Sequence, residues 1–202
     1  MNRGELVTDV ATFHELDTRT YVVRRAIGPG TCERIIEANR GLTRPHRPRR
    51  GGSLDAHPIN RIEYLDGAAY VMGKAFRAAN RELGWRIPLD LTRWGCTLYE
   101  TGDWMACHVD DEERDNDRGT WDLPHRGISI SLQLSDPDAY EGGDLRILVD
   151  EAADEWDVAS RGQGDLTAFG SSTPHEVTEV TAGERWVALG WSYTNHHRRR
   201  LR

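Results

Sequence analysis

The chain has 202 residues, of which 38% are apolar, and it carries a formal net charge of −7 at pH 7. This length suits one domain over residues 1–202 with a sizeable core, and no run of about 18 apolar residues is present to span a membrane. The acidic balance disfavours a nucleic-acid binder, which needs a basic face to displace counterions from phosphates. Three scattered cysteines without a CxxC pair favour reduced thiols and a cytoplasmic location.

Two segments interrupt this acidic composition. Residues 43–58 are rich in Arg, Pro, Gly and His and show no periodicity, so we expect a loop. A loop of this length in a compact domain is often a lid over a site or a disordered segment, and both interpretations stay open. The C-terminal tail, residues 195–202, is also basic, and we interpret it as a solvated terminus.

Two helices are predicted in residues 1–90, and we expect them to support the rest of the chain. The first takes Thr31 as its N-cap and ends near Asn39. The second takes Asp66 as its candidate N-cap and ends at Gly84, because glycine readily adopts the left-handed conformation that terminates helices. Its apolar residues recur at three- and four-residue steps: Ala69, Met72, Phe76, Ala79 and Leu83.

From Leu91 onward the apolar periodicity changes to two, which is typical of strands. Turn signals rich in Gly, Pro, Ser and Asp separate the strands. Helices followed by many short strands predict a mainly β fold, a sandwich or barrel over residues 91–194 that the N-terminal helices brace. The predicted strands are 92–99, 127–134, 144–149, 165–169, 176–180 and 185–193.

A metal site is predicted from three side chains. His108 and Asp110 are separated by one residue, so on an extended segment both point to the same face. The third ligand has to come from elsewhere, and His175 at the start of the strand 176–180 is the candidate. Two imidazoles and one carboxylate leave coordination positions open, which suits non-haem Fe(II). His-x-Asp alone is a weak signal, since a surface histidine beside a turn carboxylate gives the same pattern.

Several motifs follow one another in a specific order through residues 91–194, half of the chain. They are Tyr99-x-x-Gly102, His108-Val-Asp110, the segment 128–145, Gly164-Asp-Leu, Pro174-His-Glu-Val and Thr181-x-Gly-Glu-Arg185. Their order and spacing resemble the Fe(II)- and 2-oxoglutarate-dependent dioxygenases, in particular the prolyl 4-hydroxylase-like group and small bacterial PKHD-type hydroxylases. The resemblance implies a double-stranded β-helix, or jelly roll, as the catalytic domain, and it covers little of residues 1–90.

The resemblance also implies a pocket for the cosubstrate. Arg185, ten residues after His175, would bind the far carboxylate of 2-oxoglutarate, since the planar guanidinium forms two parallel hydrogen bonds with a carboxylate. The hydroxyl of Tyr99 would hold the same acid, and Gln133 is a weaker candidate. The alternatives are a surface strand arginine and a half-buried strand tyrosine. Trp191 is interpreted as a core residue near the metal-binding histidine.

The implied cofactors are Fe(II), held by His108, Asp110 and His175, with 2-oxoglutarate and O2 as cosubstrates and ascorbate as a further candidate. The implied reaction hydroxylates an unactivated C–H of a small molecule such as an amino acid, or of a carrier- or peptide-bound residue in a biosynthetic pathway, and releases succinate and CO2. A carboxylate at Asp110 favours hydroxylation over halogenation, because related halogenases have a small residue there. The alternatives are a protein-residue hydroxylase of the prolyl type and a non-catalytic jelly-roll sensor of a metal or an acid.

The substrate would be contacted from an acidic insertion, residues 111–126, which the resemblance places near the mouth of the barrel. Its carboxylates could select a cationic substrate, on which Trp104 or Trp121 could stack. His125 is a further candidate contact. The alternative is a solvated loop anchored by a tryptophan. The same acidic insertion disfavours a nucleic-acid demethylase, and the oligomeric state is left open.

Overall fold

The fold is described from a computed structural model, which covers residues 20–40, 60–62, 67–85, 91–110 and 125–194. Five of the sequence-based predictions concern positions outside the described residues: the loop 43–58, residues 111–124 of the acidic insertion, Trp121, the tail 195–202 and the side chain of His125. These stay predictions, as does the single domain over residues 1–202.

The first helix, α1 (Pro29–Asn39), begins three residues earlier than predicted. Its N-cap is Gly28, which makes no side-chain cap, so the assignment of Thr31 as the N-cap was wrong. The physical reason is Pro29, because proline has no N–H to satisfy and its fixed φ suits the first helical position. Cys32 and Ile35 on this helix are fully buried.

The second helix, α2 (Ala68–Glu82), has Gly67 as its N-cap, with a φ of 79°, so the prediction of Asp66 as the N-cap was wrong. The helix ends as predicted, with Gly84 in the left-handed region at a φ of 71°. Met72 and Phe76 of the predicted apolar stripe are fully buried in the core. Neither helix in the described part of the chain has the length and apolar character needed to cross a bilayer.

The strands of the described residues form two antiparallel sheets. These strands are β1 (Thr20–Val23), β2 (Asn60–Ile62), β3 (Leu91–Glu100), β4 (Met105–His108), β5 (His125–Gln133), β6 (Tyr140–Gly142), β7 (Leu145–Asp150), β8 (Glu155–Val158), β9 (Leu166–Gly170), β10 (His175–Val177) and β11 (Val180–Thr194). The large sheet has the order β1-β9-β5-β11-β3-β2, with β6 also paired to β11, and the small sheet has the order β4-β10-β7-β8. This architecture confirms the predicted jelly roll braced by helices.

Side chains along the strands of the large sheet alternate between its two faces, so its apolar residues fall into two clusters. Ile130 and Leu132 on β5 pack with the helices in the larger cluster. Val187 on β11 packs on the other face, with Ile147 and Val177 of the small sheet. The helices therefore cover one face of the large sheet and the small sheet covers the other. The space between the two sheets is the interior of the barrel.

The six predicted strands overlap six of the observed ones, which are β3, β5, β7, β9, β10 and β11. The predicted strand 176–180 was wrong at its end, because β10 stops at Val177 and Val180 already begins β11. The strands β2, β4, β6 and β8 were missed, since they have three or four residues each and such runs show no clear period.

Candidate metal and cosubstrate site

The two candidate histidines face each other across neighbouring strands of the small sheet. His108 ends β4 and His175 begins β10, and they are partners in the antiparallel register. Their ring centroids are 4.3 Å apart. The two imidazoles, 67 residues apart in the chain, are therefore brought together by the pairing of β4 with β10.

Each imidazole is oriented by a bond to its own segment. Nδ1–H of His108 donates to the carbonyl oxygen of Ala106 at 2.8 Å, and Nδ1–H of His175 donates to that of Thr173 at 2.9 Å. Because a carbonyl can only accept, these contacts assign the proton to Nδ1 and leave the lone pair of Nε2 for a metal. Phe169 packs edge-on against His175, with ring centroids 4.7 Å apart, and so holds the ring from the side.

Asp110 completes the set two residues beyond β4. Its backbone N–H donates to the carbonyl of Ser171 at 2.8 Å, which anchors the segment to the turn before β10. Its Oδ2 lies 3.6 Å from Nε2 of His175. One ligand atom from each of His108, Asp110 and His175 lies within 4.8 Å of the other two. Small side-chain rotations suffice for these atoms to share one ion, since each bond to it is roughly 2 Å long.

The carboxylate of Asp110 has further partners that the sequence did not indicate. Ser129 Oγ donates to Oδ2 at 2.6 Å, and Nε1–H of Trp191 donates to the same oxygen at 2.8 Å. Trp191 is buried, as predicted for a core residue, but it also contacts the metal-ligand candidate through its indole N–H. Ser129 was missed because a serine within a strand carries no signal until its cross-strand neighbours are known.

Arg185 lies deeper in the same interior and is 4% exposed. It pairs with Tyr99 in the register between β11 and β3, and its guanidinium carbon is 5.3 Å from the centroid of the Tyr99 ring. Among the described residues, no carboxylate lies within ion-pair distance of Arg185. A buried cation is costly without a counter-charge, so this position favours an anionic ligand.

Arg185 lines a small cavity in the barrel together with a second arginine, Arg161, whose guanidinium already bonds to other groups of the chain. Arg161 donates to the carbonyl of Gly142 at 2.8 Å and also to the carboxylate of Asp144. Its guanidinium carbon lies 4.3 Å from the centroid of the Tyr140 ring. Of the two arginines that line the cavity in the described part of the chain, Arg185 is therefore the one that remains for a bound acid.

The cavity beside Arg185 is lined by polar side chains from β5 and β9. Ser131, Gln133 and Thr167 are among them. The amide of Gln133 donates to the hydroxyl of Tyr140 at 3.1 Å. Because alternate residues of a strand face the same side, Ser129, Ser131 and Gln133 form one polar column on the inner face of β5. This column runs from Asp110 to the cavity beside Arg185.

Trp104, a predicted substrate contact, does not line the cavity beside Arg185. Trp104 is half-buried and lines a groove with Glu176 and Glu179. Glu176 alternates along β10 with His175 and Val177, which face the interior, so Glu176 points to the outer side of the small sheet. A role for Trp104 in substrate binding stays a prediction.

Fold and site together define the class of jelly-roll proteins that can hold one non-haem metal ion between two imidazoles and a carboxylate. Within that class, the chain belongs to the 2OG-Fe(II) oxygenase superfamily, whose family model matches residues 94–193, about half of the chain. The resemblance inferred from the motifs is thereby confirmed. Fe(II) and 2-oxoglutarate with O2 are the requirements of this family, and His108, Asp110 and His175 form the site that could hold the iron. Ascorbate stays a prediction.

Two relatives illustrate the similarity in sequence. The chain is 37% identical to a PKHD-type hydroxylase of Parvibaculum lavamentivorans over 116 residues, which are 57% of this chain and 46% of that protein. It is 31% identical to a PKHD-type hydroxylase of Maricaulis maris over 142 residues, which are 67% of this chain and 60% of that protein. The chain thus spans about half the length of the curated relatives it matches.

Two solved structures share the fold. A prolyl-4-hydroxylase of Pseudomonas putida superimposes with a TM-score of 0.65 at 20% identity and covers 87% of this chain and 92% of its own. A prolyl hydroxylase of Trichoplax adhaerens, in complex with a peptide fragment of hypoxia inducible factor, superimposes with a TM-score of 0.64 at 17% identity. That match covers 90% of this chain and 86% of the Trichoplax chain. At these identities the likeness concerns the fold.

Proposed function

We propose that this chain is a hydroxylase that uses Fe(II), 2-oxoglutarate and O2 to convert a substrate C–H bond into C–OH. One oxygen atom of dioxygen enters the substrate and the other enters succinate, while 2-oxoglutarate loses CO2. The cosubstrate supplies two electrons and the C–H bond supplies two, so the four-electron reduction of dioxygen is balanced. The observation that carries this proposal is the buried Arg185, without a described carboxylate partner, in the same barrel as the three converging ligand atoms.

His108, Asp110 and His175 would hold the metal in this reaction. Their Nε2 and carboxylate oxygen atoms converge, and the bonds from Nδ1 to backbone carbonyls fix both imidazoles before the ion arrives. Bound iron supplies the redox chemistry that activates dioxygen. The protein contributes position and orientation, because an aligned C–H and cosubstrate avoid the entropic cost of a productive encounter.

Arg185 would bind the far carboxylate of 2-oxoglutarate through its planar guanidinium. Tyr99, whose ring lies beside the guanidinium and which is 3% exposed, would help to hold the same acid through its hydroxyl. The polar column of β5 would offer hydroxyl groups along the cosubstrate between Arg185 and Asp110. Water is kept out by the apolar cluster around Phe169 and Val187, which protects the reaction from side products.

The proposed substrate is a small molecule such as an amino acid, or a carrier- or peptide-bound residue. The second candidate is a prolyl-type side chain of a protein, and the likeness to two prolyl hydroxylases, one of them holding a peptide, supports it. A non-catalytic sensor is disfavoured, because a sensor of one ligand has no use for an intact metal triad together with a separate acid-binding arginine.

A spectroscopic and a product assay test this proposal together. Under anaerobic conditions, Fe(II) plus 2-oxoglutarate should give a weak visible charge-transfer band that Arg185→Ala reduces and that Arg146→Ala, on the outer face of the small sheet, leaves unchanged. Succinate release should then be stimulated by free amino acids or by peptides. Stimulation by free amino acids but not by peptides would favour the first substrate class over the second. Metal-loaded protein without the band would contradict the function itself.

A further inference from the structure

We propose that Ser129 and Trp191 are positioning residues that orient the carboxylate of Asp110 for metal binding. This inference rests on the proposed function, because the metal ion that Asp110 would bind is the one used in that reaction. Neither residue belongs to the ligand set, and each acts through Asp110.

Both donors converge on one oxygen of a nearly buried carboxylate. The side chain of Asp110 is 11% exposed, and its Oδ2 accepts from Ser129 at 2.6 Å and from Trp191 at 2.8 Å. A carboxylate held by a single bond can still rotate about its last torsion. Two donors that reach one oxygen from different directions fix the plane of the group, and with it the direction in which the carboxylate faces the imidazoles.

The two donors come from neighbouring strands of the large sheet, whereas Asp110 follows a strand of the small sheet. Ser129 on β5 and Trp191 on β11 are direct partners in the antiparallel register, so their side chains emerge side by side into the interior. Their bonds to Asp110 therefore join the two sheets at the metal site. The distance between the sheets and the direction of the carboxylate are set by the same contacts.

A fourth residue closes the network around Asp110. Ser129 Oγ lies 2.9 Å from Ser171 Oγ. Ser129 has one hydroxyl hydrogen, which it donates to Asp110, so Ser171 must be the donor in this second bond. The carbonyl of the same Ser171 accepts the backbone N–H of Asp110 at 2.8 Å. Backbone and side chain of Asp110 are thus anchored to one cluster of partners.

This arrangement should strengthen metal binding, because the protein has already fixed the carboxylate when the ion arrives. Groups that hydrogen-bond to metal ligands typically contribute about 10- to 100-fold to metal affinity. We therefore expect Trp191→Phe and Ser129→Ala each to weaken binding by roughly that factor. Ser129→Thr keeps the hydroxyl and should restore most of the affinity lost in Ser129→Ala.

The test is calorimetric titration of the purified chain with Zn(II), which binds imidazole and carboxylate ligands without any turnover. Two control variants remove similar side chains away from Asp110. Trp186→Phe replaces another buried tryptophan of β11, whose indole N–H donates to Glu184, and Ser135→Ala removes a buried hydroxyl that bonds to backbone. Both controls should bind Zn(II) like the wild type.

A double-mutant cycle separates positioning from a merely structural contribution. In an Asp110→Ala background there is no carboxylate to orient, so adding Trp191→Phe should cause no further loss of Zn(II) affinity. A further loss in that background, or wild-type affinity in both Trp191→Phe and Ser129→Ala, would overturn the proposal. Failure of the proposed function would look different: the wild type would bind the ion but release no succinate from 2-oxoglutarate.

Discussion

Gly143 lies directly against Arg185: a methyl group on Gly143 would be 3.0 Å from Cδ of Arg185 and 2.8 Å from Cγ2 of Val180. Gly143 also has a φ of +64°, in the left-handed region that favours glycine. Because Gly143 has no side chain, the aliphatic part of Arg185 can pack against it while the guanidinium lines the cavity. The residue proposed to bind the acid and the turn that makes space for it are therefore linked.

Gly143→Ala should weaken 2-oxoglutarate binding several-fold, since the new methyl group displaces Arg185 or Val180. Gly102→Ala is the matched control, because Gly102 has a φ of +93° but no atom within 4 Å of the added methyl group. Both variants should lose stability, by about 1–2 kcal/mol for the left-handed conformation alone. Titration with 2-oxoglutarate and chemical denaturation measure the two effects, and equal cosubstrate affinity in both variants would count against the link.

Arg185→Ala should raise the KM for 2-oxoglutarate by roughly 10- to 100-fold, since charge-assisted hydrogen bonds contribute about 1.5–3 kcal/mol. Zn(II) affinity should change little, because Arg185 touches none of the three ligand candidates. Arg146→Ala is the control: Arg146 is paired with Glu176 at 2.8 Å on the outer face of the small sheet. An unchanged KM in Arg185→Ala would show that another group binds the acid.

His175→Ala should abolish succinate formation and lower metal affinity strongly, because two ligands cannot replace three at one ion. Glu176→Gln is a suitable neighbour control, since Glu176 lies next to His175 on β10 but faces outward. The comparison is made by Zn(II) calorimetry and by succinate release under the same conditions. If His175→Ala retained the metal and the turnover, the ligand assignment would be wrong.

Asp165 should make stability depend on pH in the acid range. Burial raises its pKa, but hydrogen bonds from Ser160, the backbone of Arg25 and the side chain of Arg24, with the charge of Arg24, outweigh burial and hold the pKa below its usual range. A pKa that is lower in the folded state means stabilisation that is complete above the unfolded value, about 3.9, and lost as the pH falls through the folded value.

Asp165→Asn should therefore lower the free energy of unfolding at pH 7 and pH 5, with a difference from the wild type that shrinks below about pH 4. Urea denaturation at pH 7, 5, 4 and 3 measures this. Asp157→Asn, at an exposed position of β8, should change stability little throughout. A difference for Asp165→Asn that stayed constant down to pH 3 would contradict the inferred direction of the shift.

The three cysteines should react with alkylating reagents at very different rates. All three are free; Cys32 and Cys96 are buried, whereas Cys107 is exposed. Burial raises the pKa of Cys32 to about 11 and that of Cys96 to about 12, so little thiolate is present at neutral pH. Mass spectrometry after brief iodoacetamide treatment of the native chain should find the label on Cys107. Rapid labelling of Cys96 would show that the core opens.

Much of the fold and the site could be predicted because the signals are local or spaced in a specific order. The change of apolar period at Leu91 predicted the strands, and the step from His108 to Asp110 placed two ligands on one face. The resemblance to the dioxygenase family, and not the spacing alone, implied that Arg185 on the strand after His175 is the acid-binding group. Short strands such as β4 were missed, because four residues carry no clear period.

What the sequence by itself determined is the jelly roll and the set of side chains that are candidates for binding a metal and an acid. Only the tertiary structure decided which uncharged residues lie beside these candidates. Ser129, Ser171 and Trp191 stand next to Asp110 because of strand register, and Gly143 stands next to Arg185 because of a turn. Strand pairing joins residues far apart in the chain, so no local pattern indicates which serine or tryptophan will lie beside a ligand.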